Sequence, residues 1–361
     1  MAGTRGVHPE APDPQAPPPG VPDPEVAALA DPVGLGAWLE ERFGTSAACD
    51  LRIVRRSRGS SNEMFEVSGG VGRWILRRPT KVALARAGAG IAREFRLLGA
   101  LEGTPVPHPR PVALCEDPSV IGAPFYLMEV VDGVEPVDPL PEALVADPTA
   151  RHALGIALVD ALAELASFDW RGRGLADFGR PEGFHERQVP RWHAQLESYA
   201  ERALAGVDDV ERWLSANRPD SFEPGVMHGD YHQGNLLIGR DLPVRVLAIV
   251  DWENATIGDP LLDLGYFLSS WPDPGETTRL AGRIKDRTAM ATRAELVARY
   301  EARTGRRVGD IDYYVVLSLY RLAVMLEGVA ARGRALGRDT GGTAAYVDIL
   351  LDEACRLVAG H

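Results

Sequence analysis

The chain changes its hydrophobic pattern near residues 132–148, and this change limits the folds that it can adopt. Before that point, short apolar runs alternate with polar residues and are separated by turn residues, which is typical of β-strands. Five such runs occur, at residues 51–56, 63–67, 73–78, 112–116 and 125–131. A helical pattern lies between the third and fourth runs, and beyond the change the pattern is mainly helical. The sequence therefore predicts an α+β protein with a small β-rich first lobe and a larger, mainly helical second lobe.

The composition of the N-terminus sets the first boundary. Residues 1–24 are dominated by Pro, Ala and Gly and have too few large apolar side chains to offset the entropy of ordering, which predicts a disordered tail. An amphipathic helix that ends at Gly44 follows. We expect the first lobe, with this leading helix, to span residues 25–131 and the second lobe to span residues 132–361.

Charge and cysteine content exclude several classes of protein. The formal net charge of -12 argues against a nucleic-acid binder, which would carry a basic surface. The three cysteines, Cys49, Cys115 and Cys355, lie far apart, which argues against a disulfide framework and a local cysteine metal site. No run of 18 or more apolar residues occurs, and the N-terminus does not have the pattern of a signal peptide. We expect a cytoplasmic protein that binds neither membrane nor nucleic acid.

One segment interrupts the helical second half. It contains the run HGDYHQGN at residues 228–235, which leads directly into an apolar strand at residues 236–238. A second strand, Val246 to Val250, is followed by Asp251. The interruption therefore predicts a β-hairpin with polar side chains at both of its ends.

These polar residues match the needs of phosphoryl transfer. That reaction needs a carboxylate to orient the attacking hydroxyl and accept its proton, and oxygen ligands that hold Mg²⁺ against the phosphates. An Asp, an Asn five positions later and an Asp at the end of the hairpin supply this set. The pattern predicts Asp230 as the catalytic base and Asn235 and Asp251 as the metal ligands.

The same segment resembles the aminoglycoside phosphotransferase and choline kinase superfamily, whose signature is HGDxxxxN followed by a strand that ends in D-[WF]-[DE]. The continuation ATIGDPLLDLGYF is similar to the branch of phosphotransferase domains associated with acyl-CoA dehydrogenases in animals, and to related actinobacterial proteins. The resemblance implies a protein-kinase-like bilobal fold, ATP and Mg²⁺ as cofactors, and a small-molecule hydroxyl acceptor.

The first lobe is expected to supply the nucleotide site. Period-two alternation places Arg77 and Arg78 on opposite faces of the third strand. On the next helix, Glu94 shares the apolar face of Ile91 and Leu98, and a carboxylate on that face needs a cationic partner. We predict that Arg77 is this partner and binds the phosphates. Most members of the superfamily have Lys at this position, and Arg binds phosphates with a different geometry.

Two further segments resemble nucleotide-binding parts of the family. The stretch with Ser60, Ser61 and Asn62 resembles its phosphate-facing loop, in which small residues let backbone N–H groups approach the nucleotide. The run at 126–131 resembles the hinge, so that the backbone near Glu129 and Val130 is expected to hydrogen-bond adenine.

Side chains of the helical lobe are expected to form the acceptor site. The candidates are Tyr231, His232, Trp271 and the helix from Tyr313 to Glu327, with Arg321 and Glu327 as its polar residues. Trp271 and Tyr313 are expected to pack in the core rather than to stack against a ligand. His228 is expected to brace its loop, because the neighbouring aspartate suffices for the proton. Asp259 and Asp263 are expected to cap a helix and brace a loop.

Three functions fit the residues. The first is transfer of phosphate from ATP to a hydroxyl of an aminoglycoside, a macrolide, a choline-like amine or a hydroxyacyl compound. The second is a nucleotide-binding pseudokinase or partner module, favoured by the Arg at the usual Lys position. In the third, His228, Asp230 and His232 bind a hydrolytic metal, which leaves Asn235 and Asp251 without a role. The oligomeric state cannot be predicted from the sequence.

Overall fold

The computed structural model describes residues 24–360 except 45, 47, 59–61, 71, 81–83, 277–279, 281–283, 339 and 341. The predicted tail lies outside these residues, apart from Pro24. The chain divides into two compact units, which are Met1–Arg96 with Arg110–Val130 and Leu97–Pro109 with Val131–His361. This division places Leu97–Pro109 in the second unit, whereas the boundary drawn from the sequence assigns that segment to the first lobe.

A five-stranded antiparallel sheet forms the centre of the first unit. Its strands are β1 (Arg52–Arg58), β2 (Asn62–Gly69), β3 (Gly72–Pro79), β4 (Pro111–Cys115) and β5 (Phe125–Glu129), in the order β1-β2-β3-β5-β4. Alternation is clear in β2, where Phe65 and Val67 are fully buried and their neighbours are partly exposed. The five predicted strands and the helix between the third and fourth are confirmed.

Three helices accompany this sheet: α1 (Pro24–Ala27), α2 (Pro32–Phe43) and α3 (Leu84–Leu101). Helix α2 begins after Asp31, whose carboxylate accepts hydrogen bonds from the backbone of Val33 at 3.1 Å and Gly34 at 3.2 Å. Its apolar face, with Leu35 and Leu39 fully buried, packs in one core cluster with the inner face of the sheet. This helix was predicted from its amphipathic spacing.

The second unit is mainly helical. Its helices are α4 (Glu142–Ala146), α5 (Pro148–Ala166), α6 (Gln188–Glu197), α7 (Val207–Ala216), α8 (Leu261–Ser269), α9 (Arg293–Thr304), α10 (Ile311–Ala335) and α11 (Thr343–Ala359). Two small antiparallel pairs interrupt them, β6 (Gly225–Met227) with β9 (Thr256–Gly258) and β7 (Leu236–Ile238) with β8 (Val246–Ile249). The predicted hairpin is therefore confirmed as β7 and β8.

Helix α10 lies in the core of this unit and packs against α8 and α11. Among the described helices, only α10 is long and apolar enough to match a membrane span, but 67% of its apolar window is buried inside the protein. A buried core helix passes the same test of length and composition. Gly265 of α8 allows a close crossing, since a Cβ atom there would lie 2.5 Å from Cβ of Tyr314.

Candidate functional site

His228 connects the two loops of the interrupted segment. It is fully buried, and its Nδ1 accepts the backbone N–H of Asp230 at 3.3 Å. Its Nε2 therefore carries the proton and donates to the carbonyl of Val250 at 2.9 Å. Burial lowers the pKa of His228, which favours this neutral form. The predicted loop-bracing role of His228 is confirmed.

Asp230 is held as a carboxylate. The His232 ring accepts the backbone N–H of Gly234 through Nδ1 at 2.9 Å, and its Nε2 lies 3.6 Å from the Asp230 carboxylate. Burial acts to raise the pKa of Asp230, but the neighbouring His232 and Tyr266 side chains lower it to about 2. Asp230 is therefore ionised at neutral pH, and 28% of its side chain is exposed to solvent.

Asn235 and Asp251 are linked to Asp230 through the backbone of the hairpin. The Asn235 amide donates from Nδ2 to the Asp230 carbonyl at 2.9 Å and to its carboxylate at 3.1 Å. The carbonyl of Asn235 accepts the N–H of Val250 at 2.9 Å, and Asp251 is the next residue. The three predicted residues therefore belong to one hydrogen-bonded frame, in which Val250 is bonded to both Asn235 and His228.

The atoms of this frame suit a hard cation. With Nδ2 of Asn235 turned to Asp230, its Oδ1 accepts no hydrogen bond among the described residues. Asp251 adopts a left-handed conformation with φ of 66°, which costs a non-glycine residue about 1–3 kcal/mol and is concentrated at functional sites. One amide oxygen and one carboxylate match Mg²⁺, which in proteins takes few side-chain ligands and completes its shell with phosphates and water.

Asp263 of α8 holds the backbone of the loop around Asp230. Its two carboxylate oxygens accept the N–H groups of His228 at 2.6 Å and Gly229 at 2.9 Å. Gly229 has a φ of +83°, and a Cβ atom there would lie 2.5 Å from the carbonyl oxygen of Asn254, so only glycine fits. Burial raises the pKa of Asp263 to about 7 against these hydrogen bonds. Its predicted bracing role is confirmed.

Asp259 fills the predicted capping role at the start of the same helix. Its Oδ1 accepts the N–H of Leu261 at 3.1 Å. Its Oδ2 binds His185 Nε2 at 2.9 Å and the hydroxyl of Tyr314 at 2.7 Å. This buried network ties α8 to α10 and to the loop before α6, and it leaves Asp259 no catalytic role.

Tyr266 was not found by the sequence analysis. It lies on α8 one turn after Asp263, its ring packs 6.0 Å from that of His232, and its hydroxyl helps to lower the pKa of Asp230. The signal was available, because residues three apart on a helix share a face. Given the bracing role predicted for Asp263, this spacing would have placed Tyr266 on the side of α8 that faces the same loop.

In the first unit, Arg77 and Glu94 form the predicted ion pair. Arg77 Nε lies 2.7 Å from Glu94 Oε2, and both residues are buried. Tyr126, the partner of Arg77 in the β3–β5 register, donates its hydroxyl to the same carboxylate at 3.1 Å. The next residue, Arg78, points to the opposite face, where it donates to the carbonyls of Leu29 and Ile121. The two adjacent arginines therefore have separate roles.

The other predicted nucleotide-binding residues are only partly described. Ser60 and Ser61 lie outside the described residues, and Asn62 is the first residue of β2. The N–H of Glu129 donates to the carbonyl of Arg110 at 2.9 Å, so this donor is already used within the unit. The β3–β5 ladder ends with the pair Trp74 and Glu129, and Val130 is the first residue beyond it. The adenine contact at Glu129 and Val130 stays a prediction. Val130 fits this role better than Glu129, because the N–H of Glu129 is already bonded to Arg110.

Most of the predicted acceptor residues belong to the core. Tyr231 is fully buried and donates its hydroxyl to the Leu158 carbonyl at 2.6 Å. Trp271 and Tyr313 are buried as well, which confirms the packing role preferred for them. Glu327 is fully buried between Arg202 and Arg334, with N–O distances of 3.0 and 2.9 Å. His232 is the candidate that lies against Asp230, with its Nε2 3.6 Å from the carboxylate. Arg321 lies on α10 with its Nε shielded from solvent.

Known proteins resemble this chain in sequence and in structure. The model of the phosphotransferase enzyme family matches residues 52–301. Acyl-CoA dehydrogenase family member 11 of Rattus norvegicus is 31% identical over 297 residues, which cover 80% of this chain and 38% of that protein. The chain thus spans less than two-fifths of the length of this relative.

Two solved structures extend the comparison. A protein of Ralstonia eutropha assigned to the aminoglycoside phosphotransferases is 29% identical, with a TM-score of 0.75 over 90% of this chain and 98% of that one. A thermostable aminoglycoside phosphotransferase mutant in ternary complex with AMP-PNP and hygromycin B is 16% identical, with a TM-score of 0.53 over 91% of this chain and 99% of that one. The second likeness concerns the fold alone.

The region matched by the family model contains the candidate residues of both units. It begins at the first strand of the sheet that carries Arg77 and extends past the frame of Asp230, Asn235 and Asp251. The structural neighbours cover nearly the whole chain. The chain therefore belongs to the phosphotransferase enzyme family and has its protein-kinase-like fold, with a small β-rich lobe and a larger, mainly helical lobe.

Proposed function

We propose that this protein is an ATP- and Mg²⁺-dependent small-molecule kinase, which transfers the γ-phosphate of ATP to a hydroxyl of a small acceptor. The observation that carries the proposal is the hydrogen-bonded frame of Asp230, Asn235 and Asp251. It combines an ionised carboxylate with two side-chain oxygen ligands for a metal ion. Family membership and the structural neighbour bound to AMP-PNP support it.

In this proposal Asp230 orients the acceptor. An ionised carboxylate with a pKa of about 2 accepts a hydrogen bond from the acceptor hydroxyl and directs its oxygen, but it takes the proton only as the new P–O bond forms. The hydrogen bond from Asn235, together with the neighbouring His232 and Tyr266 side chains, holds the carboxylate in one orientation. Positioning of this kind accounts for much of the catalysis in phosphoryl transfer.

Asn235 and Asp251 would hold the metal through Asn235 Oδ1 and the Asp251 carboxylate. When bound, Mg²⁺ neutralises charge on the phosphates and so lowers the barrier to attack. Because Asn235 is hydrogen-bonded to Asp230, a displacement of either residue would shift both the metal ligand and the base.

Arg77 would bind the phosphates of the nucleotide. Its guanidinium is held by the buried ion pair with Glu94. A guanidinium offers a bidentate fork to phosphate, which a lysine ammonium cannot do. Arginine at this position is therefore compatible with nucleotide binding.

The alternatives differ in what they explain. The hydrolytic metal site is disfavoured, because both ring nitrogens of His228 are used by Asp230 and Val250. Within the described part of the chain, no group of three or more His, Cys, Asp or Glu side chains could hold a metal. A pseudokinase is favoured by Arg77 alone, and it leaves the buried hydrogen bonds around Asp230 without a purpose.

The variant Asp230→Asn tests the proposal. It keeps the shape of the side chain but removes the charge that orients the hydroxyl, so we expect kcat to fall by about 10²- to 10⁴-fold with little change in the Kd for ATP. The readouts are coupled ADP release over a panel of aminoglycosides, hydroxy acids, hydroxyacyl thioesters and amino alcohols, and calorimetry with ATP and Mg²⁺.

Asp241→Asn is the matched control, since Asp241 is exposed in the turn of the same hairpin. It should leave both readouts unchanged. ADP release by the wild type with no member of the panel, together with tight ATP binding, would favour the pseudokinase. Equal kcat for the wild type and Asp230→Asn would contradict the role of Asp230.

A further inference from the structure

The two ring nitrogens of His232 face different parts of the candidate site. Its Nδ1 accepts the backbone N–H of Gly234 at 2.9 Å. A ring nitrogen that accepts a hydrogen bond from an amide carries no proton, so the proton of the neutral ring lies on Nε2. This Nε2 lies 3.6 Å from Oδ2 of Asp230. The backbone of the loop therefore selects the tautomer that presents an N–H group to the proposed base.

The Nδ1 contact belongs to the turn that carries the proposed metal ligand. Residues Gln233–Asn235 form a single 3₁₀ turn, and His232 caps its N-terminal end through the side chain. The carbonyl of His232 also accepts the backbone N–H of Asn235 at 2.9 Å. A capping side chain satisfies a backbone donor that has no partner within the turn. His232 therefore helps to fix the backbone from which the Asn235 side chain extends.

The Nε2 contact lies at an oxygen of the base that Asn235 also contacts. Nδ2 of Asn235 donates to Oδ2 of Asp230 at 3.1 Å, and Nε2 of His232 lies 3.6 Å from that same oxygen. Only 16% of the His232 side chain is exposed, so solvent screens the attraction between its N–H and the carboxylate incompletely. Rotation of the carboxylate would move Oδ2 away from both N–H groups and is therefore opposed.

Helix α8 supports the ring from the other side. Asp263, Tyr266 and Ser270 recur at spacings of three and four residues, so they lie on one face of this helix and its C-terminal end. Asp263 holds the start of the loop, and the Tyr266 ring lies 6.0 Å from the His232 ring at an angle of 72°. The hydroxyl of Ser270 lies 3.2 Å from the amide oxygen of Gln233, which is buried. The loop is thus held on α8 on both sides of His232.

We propose that His232 is a positioning residue for phosphoryl transfer, whose Nδ1 holds the turn of the metal ligand Asn235 and whose Nε2–H orients the carboxylate of Asp230. The inference rests on the proposed function, because it assigns these contacts to a reaction. His232 acts through Asp230 and Asn235 and needs no contact of its own with acceptor or nucleotide. A purely structural role would depend on the Nδ1 contact alone, so the two contacts must be tested separately.

Two substitutions separate the contacts. In His232→Asn, the amide oxygen lies where Nδ1 does and accepts the Gly234 N–H, as in an Asx turn, but no N–H group reaches Asp230. In His232→Gln, the longer side chain places an amide N–H where Nε2 lies, and the cap is lost. His232→Ala removes both contacts. His152→Gln is the matched control, since the side chain of His152 is 45% exposed and pairs with Glu295 on the surface.

Metal binding measures the Nδ1 contact without turnover. Mn²⁺ takes the place of Mg²⁺ and is titrated into the full chain with ADP, and free Mn²⁺ is followed by electron paramagnetic resonance. The Kd for Mn²⁺ should rise about 3- to 30-fold in His232→Gln and His232→Ala, as expected for loss of a cap. It should stay near the wild-type value in His232→Asn and His152→Gln.

Turnover and magnetic resonance measure the Nε2 contact. For ADP release with the best acceptor of the panel, kcat should fall about 10- to 100-fold in His232→Asn with little change in the KM for ATP. His232→Gln should keep most of the wild-type kcat at saturating Mg²⁺. Nuclear magnetic resonance of isotope-labelled histidine should show a ring with its proton on Nε2, and the signal that is missing from His232→Gln identifies it. Thermal unfolding checks that each variant is folded.

Failure of this inference is distinct from failure of the proposed function. A His232 proton on Nδ1, equal Mn²⁺ affinities in His232→Asn and His232→Gln, or a kcat that His232→Asn leaves unchanged would each overturn the inference. Absence of ADP release by the wild type with every acceptor would remove the proposed function. In that case the tautomer and the order of the Mn²⁺ affinities still decide whether His232 makes the two contacts.

Discussion

Each unit of this protein contains an arginine whose Nε atom is shielded from solvent, and the two units treat its charge differently. Arg77 in the first unit lies 2.7 Å from the Glu94 carboxylate, which also accepts the Tyr126 hydroxyl. Arg321 in the second unit has a shielded Nε and no acceptor among the described residues. A paired cation is held in place by the fold, whereas a buried donor without an acceptor costs free energy.

Arg78 shows that the difference is not a general property of arginines in this chain. It is buried like Arg77, has no role in the candidate site, and donates to the carbonyls of Leu29, Pro79 and Ile121. The fold thus provides acceptors for an arginine with a purely structural role. The surroundings of Arg321, where no described residue accepts from its guanidinium, therefore differ from those of this structural arginine.

The largest expected effect comes from breaking the Arg77–Glu94 pair. Arg77→Met leaves the Glu94 carboxylate buried without its cation, so the free energy of unfolding should fall by about 3–5 kcal/mol. Urea denaturation measures the change. The double variant Arg77→Met/Glu94→Leu should recover most of the loss, because no buried charge remains. Its failure to recover would mean that the pair contributes by shape and not by charge.

The opposite result is expected for Arg321. Arg321→Met removes donors that have no acceptor, and it also removes a favourable charge near Asp263, so the two effects largely cancel. The free energy of unfolding should stay constant or rise by up to about 1 kcal/mol. The same urea titration gives the value. A loss as large as that of Arg77→Met would show that Arg321 stabilises the fold and would end the contrast.

The sequence was sufficient for the parts of the site that local periodicity determines. Alternation on β3 and the inward face of α3 predict that Arg77 meets Glu94, and the distance of 2.7 Å confirms it. The spacing of Asp230 and Asn235 likewise predicts a shared loop, and their side chains are in contact. In both cases the partners lie on neighbouring elements whose geometry is set by a short connection.

Contacts between elements distant in the sequence were not predictable in this way. Arg321 was named as a candidate only because it is a polar residue on a helix, and its position against Trp192 depends on how α6 packs on α10. The use of the Glu129 N–H by Arg110 depends on the β4–β5 register, which the strand patterns do not specify.

A third kind of arginine site, on the exposed face of the sheet, gives a small expected loss of stability and sharpens the comparison. Glu66 on β2 accepts from Arg73 Nε at 2.7 Å and from Arg56 Nε at 2.8 Å, and these side chains are 45% and 51% exposed. Hydrogen bonds from Arg73 and then Arg56 lower the pKa of Glu66 from 4.5 to about 2. Since the pKa is lowered in the folded state, the carboxylate stabilises the protein at neutral pH, and this contribution is lost as the pH falls from 4.5 toward 2.

Urea titrations of the wild type and Glu66→Gln over this pH range measure that contribution. At neutral pH the variant should be less stable by about 0.5–1 kcal/mol, because solvent screens the two exposed guanidinium groups. The difference should shrink on acidification and with added salt. Arg77 and Glu94 are both buried, so the loss in Arg77→Met should be nearly independent of salt. If salt reduced both differences to the same extent, burial would not separate the Arg77 pair from the surface pair.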